Sequence, residues 1–352
     1  MAVATPAGIQ MATTGLRIES YAQAHESWRQ WLARSPRAGL YHGERWLELL
    51  RRVYRMPLSV AQVELTGEGQ SAACVLAHPH RFFSPRAVAL PFSDYAPPLT
   101  TGARAEAALL EHLAHGQWGP VELRGQSAPP PWQVSSTFAL WNLDLRRPLA
   151  QLQAGLATNF RRNLKRAARA LVHVEYGADS ALLARFHALH SESRRRHGLP
   201  APPARFFRVL GELFAPNNEL EVWIASRAGR DLAGVVLLRS GKRLYYKWGA
   251  RAGGDTFATS HLLLWQVIER AAGHCEVLDL GRADIRNVGL SRFKAELGAR
   301  AEPLPYAFMP RMPRNLSAEH LSGLALLLSQ LWKRLPPPLA RILGGAIYGL
   351  LS

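Results

Sequence analysis

Between residues 276 and 300 four charged side chains, Asp279, Arg282, Asp284 and Arg286, crowd the end of a brief apolar run. Val277, Leu278 and Leu280 read as a strand buried inside a sheet, and Gly281 breaks it. Asn287 can cap a short helix that Gly298 stops. On that helix Leu290, Phe293 and Leu297 fall at i, i+3 and i+7 and face the core, which puts Lys294 on the shoulder of the buried stripe. A lysine there can run its stem along apolar surface and carry its ammonium into a cleft. In a cleft it would stabilise a developing oxyanion or hold a phosphate. Asp279 would orient that lysine or accept a proton. With Arg282 it lies at a strand's carboxyl end, where α/β sheets place their sites. A third candidate, Asp94, sits in the loop Pro91-Phe92-Ser93-Asp94-Tyr95-Ala96-Pro97-Pro98, where burial is expected to raise its pKa toward that of a general base. Each has a blander alternative: a surface lysine, an Asp279–Arg282 ion pair that only shapes its loop, and a turn aspartate that caps its own backbone.

Other chemistries find little support. No Ser-His-Asp spacing or cysteine nucleophile stands out. His187 and His190, one helical turn apart without a carboxylate partner, read as core or surface residues, as do His78 and His80, so no metal is expected. Cys74 and Cys275 make no disulfide framework and fit a reduced, cytosolic protein. A phosphate-binding surface is better supported. Residues 150–170 contain no acid. Phe160, Leu164, Ala168 and Leu171 form an apolar stripe on a helix whose other stripe is Arg161, Arg162, Lys165, Arg166 and Arg169. These cations would hold phosphates of a tRNA, a nucleotide or coenzyme A, or simply form a solvated face. Sparse aromatic interleaving argues against sequence-specific RNA reading.

The elements that must position these groups occur twice in one order. In the first half, hairpin strands over residues 59–64 and 71–77 precede a third strand over 86–90, the proline-rich loop, a helix over 103–115 and a strand over 120–124. An opening strand and two helices stand before them, over 17–26, 27–33 and 43–53. In the second half the strands cover 219–226, 232–239 and 243–248, followed by a polar loop, a helix over 259–272 and a closing strand over 276–280. The expectation is a mixed α/β chain of two related domains, each with a mixed sheet flanked by helices. A flexible segment over 1–15 would precede a first domain over 16–148. A second domain over 149–312 would begin with the basic helix, and a helical tail over 313–352 would follow. A strand–helix–strand crossover implies at least one parallel pair in each sheet. After residue 303 the repeated plan is expected to end.

The chain's 352 residues, 48% hydrophobic and 20% charged, suffice for two packed cores. The formal charge of +17 suits polyanionic partners such as nucleic acid, nucleotide phosphates or an anionic membrane face, although an arginine-rich genome would also produce it. Residues 1–15 do not read as a secretory signal, and no stretch is long enough to span a bilayer. The tail, residues 316–351, carries Lys333, Arg334 and Arg341 on apolar helices, with Trp332 and Tyr348 as interfacial anchors. It would lie on the inner face of the cytoplasmic membrane, pack on the domains, or form a dimer contact. Oligomeric state is not readable from the sequence.

An ordered series in the second half carries a family resemblance. It comprises Asn159-Phe160-Arg161-Arg162-Asn163-Leu164-Lys165-Arg166-Ala167, Ala233-Gly234-Val235-Val236-Leu237, Tyr245-Tyr246-Lys247-Trp248-Gly249, Leu262-Leu263-Leu264-Trp265, Leu278-Asp279-Leu280-Gly281-Arg282 and Gly289-Leu290-Ser291-Arg292-Phe293-Lys294. The chain resembles the Fem-like branch of the GNAT acyltransferase superfamily, whose members are tandem GNAT-like domains. The best-known ones move an amino acid from aminoacyl-tRNA onto a peptidoglycan precursor, and others sit in surface-polysaccharide systems. The resemblance implies amide formation on an amine of a cell-envelope sugar or peptide precursor, by direct attack in a ternary complex. It also implies a small-molecule or lipid-linked acceptor and no permanently bound cofactor. The donor would be a cosubstrate, aminoacyl-tRNA or an acyl-coenzyme A. Lys294 would stabilise the reacting carbonyl with Phe293 beside the donor, Asp94 and Asp279 would compete for the proton-handling role, and Arg282, Tyr246 and Trp248 would contact substrate. Arg251-Ala252-Gly253-Gly254-Asp255-Thr256 approaches the Arg/Gln-x-x-Gly-x-Gly/Ala loop with which acetyl-coenzyme A enzymes wrap pyrophosphate, but lacks its final small residue. Two alternatives stand beside this: a coenzyme A-dependent N-acetyltransferase of amino sugars, and a retired catalyst that scaffolds polysaccharide assembly.

Overall fold

The computed structural model describes residues 14–79, 86–116, 118–313 and 323–351. In the first half, β1 (Thr14–Ser20), α1 (His25–Arg34) and α2 (Glu44–Tyr54) lead into the hairpin β2 (Leu58–Leu65) and β3 (Gln70–Ala77). Two short strands, β4 (Ala87–Val88) and β5 (Leu99–Thr100), precede α3 (Ala103–His115), β6 (Val121–Arg124) and the long β7 (Gln133–Asp144). The second half opens with α4 (Leu149–Ala154), the basic α5 (Thr158–Arg169), β8 (His173–Gly177), α6 (Ser180–Arg196) and α7 (Ala204–Phe214). There follow β9 (Leu220–Arg227), β10 (Arg230–Ser240), β11 (Arg243–Arg251), α8 (Thr259–Ala271), β12 (Val277–Asp284), α9 (Val288–Glu296), β13 (Arg300–Met309), α10 (Leu324–Arg334) and α11 (Pro337–Ile347).

Both halves realise the repeated plan. β4 pairs parallel with β6 across α3, and β11 pairs parallel with β12 across α8, as a strand–helix–strand crossover requires. The second crossover shapes the site. β11 and β12 pair only from Arg243↔Val277 to Tyr245↔Asp279, after which β11 runs on to Arg251 and β12 to Asp284 without pairing. The two strands therefore part into an opening at their carboxyl ends.

The whole set of strands forms one sheet in the order β1-β2-β3-β4-β6-β13-β7-β12-β11-β10-β9-β8, with β5 on β3. The expected end of the plan after residue 303 is corrected here, because β13 continues to Met309 and lies between β6 and β7. Its alternation is masked by Pro303 and Pro305, which hide a strand from a reading of turn signals. β7 was also not expected. It pairs with β13 on one side and β12 on the other, and so stitches the halves together. The largest apolar cluster is likewise shared: Trp28, Trp46 and Leu50 belong to one cluster with Phe206, Leu210 and Val236. Of the tail, residues 314–322 lie outside the described residues, as do residues 1–13 and His80. No helix among the described residues is long and apolar enough to cross a membrane.

Candidate active site

Asn287 caps α9 as its spacing predicts, its side chain accepting from the Leu290 N–H at 2.9 Å. With the helix start fixed, Leu297 is buried and Leu290 and Phe293 pack on the core of the second half. Lys294, only 5% exposed, turns inward. Its ammonium donates to the carbonyls of Gly281 at 3.0 Å and Arg282 at 3.1 Å. Those carbonyls belong to the stretch of β12 that β11 has left. The register of β12 against β7 also shifts between Asp279 and Arg282, and Gly281 takes a φ of +72° there. A side chain at 281 would meet the Asp94 carboxylate at 3.0 Å, so the close approach as well as the φ requires glycine.

Strand alternation separates the two sides of this opening. Tyr246 points to one face, into a cavity of ≈ 350 Å³ that Phe293, Leu290, His261, Arg251 and Asp255 also line. Tyr245 and Lys247 point to the other face, where the first half of the chain supplies Tyr41, Asp94 and Tyr95. There the Tyr41 hydroxyl donates to Asp94 Oδ2 at 3.0 Å. Lys247 Nζ stands 3.8 Å and Arg282 Nε 3.7 Å from the same carboxylate. The Asp94 loop is pinned from below: Tyr306 donates to the Asp94 carbonyl at 2.6 Å, and Arg124 donates to the carbonyls of Leu90 and Ser93. Leu90 and Phe92 both hold positive φ, a strained conformation that such pinning maintains.

The electrostatics reverse one expectation. Burial by itself would raise the Asp94 pKa, but Lys247, Arg282, the Tyr41 hydroxyl and Lys294 together hold it below the ordinary carboxylate value. Asp279 goes the other way. Burial raises it, only partly offset by Tyr95, which donates at 2.7 Å, by Arg243 at 3.3 Å and by the Gly281 N–H at 2.8 Å. The alternative of an Asp279–Arg282 ion pair does not form. Asp279 pairs with Arg243, while Arg282 donates to the Tyr306 hydroxyl at 2.7 Å and faces Asp94. Asp284 and Arg286 pair with each other at 2.7 Å.

Tyr246 and Phe293 line the cavity on one side of the opening, Asp94 and Arg282 stand on the other, and Lys294 is fixed on the β12 carbonyls between Asp279 and Asp284. Trp248 does not join them; it packs between Trp46, Phe206 and Phe207. Arg161, Arg162, Lys165 and Arg166 are all exposed along α5. Phe160 anchors that helix beside the cavity, its ring 6.1 Å from Phe293 and 4.7 Å from His261. His187 bonds the Pro202 carbonyl and His190 stacks on Phe186. Among the described residues no group of three His, Cys, Asp or Glu side chains is placed to hold a metal ion.

Residues 157–295, the span that contains the opening and its cavity, match the family model of the acetyltransferase (GNAT) domain. The crystal structure of FemX superposes with a TM-score of 0.60 at 13% identity, over 88% of this chain and 98% of that one. The chain has the tandem GNAT-like fold of FemX. A tandem GNAT protein from the clavulanic acid biosynthesis pathway shares that fold, with a TM-score of 0.51 at 14% identity over 86% of this chain and all of its own. In sequence, UDP-N-acetylmuramoylpentapeptide-lysine N(6)-alanyltransferase of Weissella viridescens is 24% identical over 119 residues, 34% of this chain. The match spans about a third of that relative's length, 35%.

Within the GNAT domain, the loop over residues 251–256 leads to the start of α8. There the Asp255 carboxylate accepts from the Phe257 N–H at 2.9 Å and from the Thr259 hydroxyl at 2.7 Å. A side-chain anion thus braces the turn that leads into α8. Sequence reasoning missed Lys247, Tyr41, Tyr306 and His261. Lys247 carried a usable signal, a cation on the strand face opposite Tyr246. Tyr41 and Tyr306 carried none, since only the sheet order brings them to Asp94.

Proposed function

We propose that this GNAT-fold protein transfers an aminoacyl group, carried as an ester on tRNA, to an amine of a cell-envelope peptide or sugar precursor. The observation that carries this is the parting of β11 and β12, with a buried ammonium fixed on the β12 carbonyls there, a cavity walled by both apolar and polar side chains on one side and a carboxylate of lowered pKa on the other. The ester would enter by the cavity beside Phe293 and Tyr246, and the amine would approach from the Asp94 side. The amine nitrogen bonds to the ester carbonyl carbon, whose oxygen becomes an oxyanion in the field of Lys294. The C–O bond to the ribose then breaks. The proton that the nitrogen releases passes to the ribose oxygen, with Asp94 as relay. A carboxylate held at low pKa is a weak base, so Asp94 serves only to relay the proton from the N-protonated tetrahedral adduct, which is more acidic than a free ammonium, to the departing ribose oxygen. The acceptor amine must therefore arrive neutral. Asp279, saturated by three donors and fully buried, acts as a brace for Tyr95 and Arg243.

Two features favour an aminoacyl-tRNA donor over an acyl-coenzyme A. Asp255 holds a carboxylate in the turn that leads into α8, and the exposed cations of α5 flank the cavity, where they can meet phosphates outside it. The relative's name makes a lysine side-chain amine on a UDP-linked muramoyl pentapeptide the first acceptor to try. Lys294→Ala is expected to lower transfer from alanyl-tRNA by roughly 100- to 1,000-fold, the usual cost of losing one oxyanion donor, with circular dichroism unchanged. Full activity in that variant removes Lys294 from the reaction. Turnover with acetyl-coenzyme A and none with aminoacyl-tRNA would replace the donor.

A further inference from the structure

We propose that the α10–α11 tail is a membrane-docking face that lays the protein on an anionic bilayer, with the Asp94 loop anchored to the tail's inner side. On α11, Leu339, Ile342, Leu343 and Ile347 fall at i, i+3, i+4 and i+8 and are all exposed, Ile342 at 71%. On α10, Leu326, Leu327, Leu328 and Leu331 are exposed as well, Leu327 at 63%. Large aliphatic side chains are ordinarily scattered singly over a soluble surface, whereas here eight occur on two consecutive helices. The inward sides of both helices are already used. Ala340 and Ser329 are buried, and Gly344 lies so close to Ala201 that a side chain would come within 3.2 Å of its backbone nitrogen.

Charge and length select lipid as the occupant. Residues 323–351 contain no acidic side chain, and Lys333 and Arg334 are exposed in the last turn of α10, while Arg341 is exposed on the side of α11 nearer α6. Cations flanking an aliphatic stripe match the boundary between anionic headgroups and acyl chains. Each helix has 11 residues, about 16 Å of length, roughly half the thickness of a bilayer's apolar core. Such helices lie in the interface and do not cross it.

The tail is also tied to the site. Arg195, in the last turn of α6, donates to the carbonyls of Lys333 at 2.9 Å and Leu335 at 3.3 Å and so closes the end of α10. Tyr348 stacks on Phe92 with ring centroids 5.0 Å apart and planes 14° from parallel. Phe92 stands two residues before Asp94. Of the two aromatic residues that the sequence offered as interfacial anchors, Tyr348 is therefore committed inward, to the loop that carries the carboxylate. Docking would hold that loop near the lipid surface. The docking itself does not depend on the transfer reaction.

Flotation of the full chain with phosphatidylcholine vesicles and with phosphatidylcholine–phosphatidylglycerol vesicles tests this. The protein is expected to float with the anionic vesicles, weakly with the neutral ones, and less as salt rises. Leu327→Asp with Ile342→Asp should abolish flotation with sedimentation and circular dichroism unchanged. Lys333→Ser, Arg334→Ser and Arg341→Ser together, all surface changes, should weaken binding to anionic vesicles by roughly 100-fold. Failure of the wild-type protein to float with either vesicle overturns the proposal. So does a wild-type dimer that the aspartate variant splits into monomers while vesicle binding persists.

Discussion

Asp94 and Asp279 share one cluster and shift in opposite directions, because burial raises both and only Asp94 has several cations facing it to bring it down. Lys247 contributes much of that bias. Its side chain is 6% exposed and lies over the rings of Tyr41, Trp46 and Trp248 at 4.7, 5.2 and 5.6 Å. Burial lowers its own pKa, and Asp94 pulls it back up. Lys247→Met removes the charge and leaves burial to dominate at Asp94, so the carboxyl pKa should rise. The acid limb of kcat/KM against pH should then move to higher pH, while Lys247→Arg should leave it near the wild-type position. An unmoved limb in the methionine variant would show that Asp94 does not handle the proton. At this scale the sequence named Asp94, Asp279 and Lys294, because each stands where a turn, a strand end or a helix shoulder makes a polar group conspicuous. It left Asp279 open between a substrate role and an ion pair with Arg282, and it read the Asp94 pKa from burial alone, because the cations and hydroxyls that decide both come from other segments.

At the scale of elements, α5 and the β11–β12 opening divide the work proposed for the donor. In the proposed reaction the opening would take the ester, and α5 presents Arg161, Arg162, Lys165, Arg166 and Arg169 to solvent. If these cations meet tRNA phosphates, Arg162→Ala with Arg166→Ala should raise KM for aminoacyl-tRNA and leave kcat at saturation unchanged. The slope of log affinity against log salt should fall by about 1.5, the counterion release of two phosphate contacts. Equal slopes for variant and wild type would make α5 a solvated face only. Helices α3, α5 and α8 were legible in the sequence because their apolar residues recur with the helical period and capping or turn residues bound them. β13 was not, since its prolines imitate a linker.

For the whole molecule, β7 and β13 turn two repeated plans into one sheet, and Phe138, Leu304, Tyr306 and Phe308 fill the seam as a cluster of their own. Phe308→Ala should destabilise the chain by about 3–5 kcal/mol, and urea unfolding should stay a single transition by both fluorescence and circular dichroism. Two separated transitions would mean that the halves are stable apart. The sequence by itself determined the repeated order of strands and helices and the cap of α9, because these follow from backbone preference and from periodicities within one element. Only the tertiary structure decided which charge faces which, where the carboxylate sits relative to the ammonium, and that the two halves share a sheet and a core. Coulomb energy and packing depend on separation in space. The folded sheet, not the order of residues along the chain, sets the distances among Tyr41, Asp94, Lys247 and Tyr306.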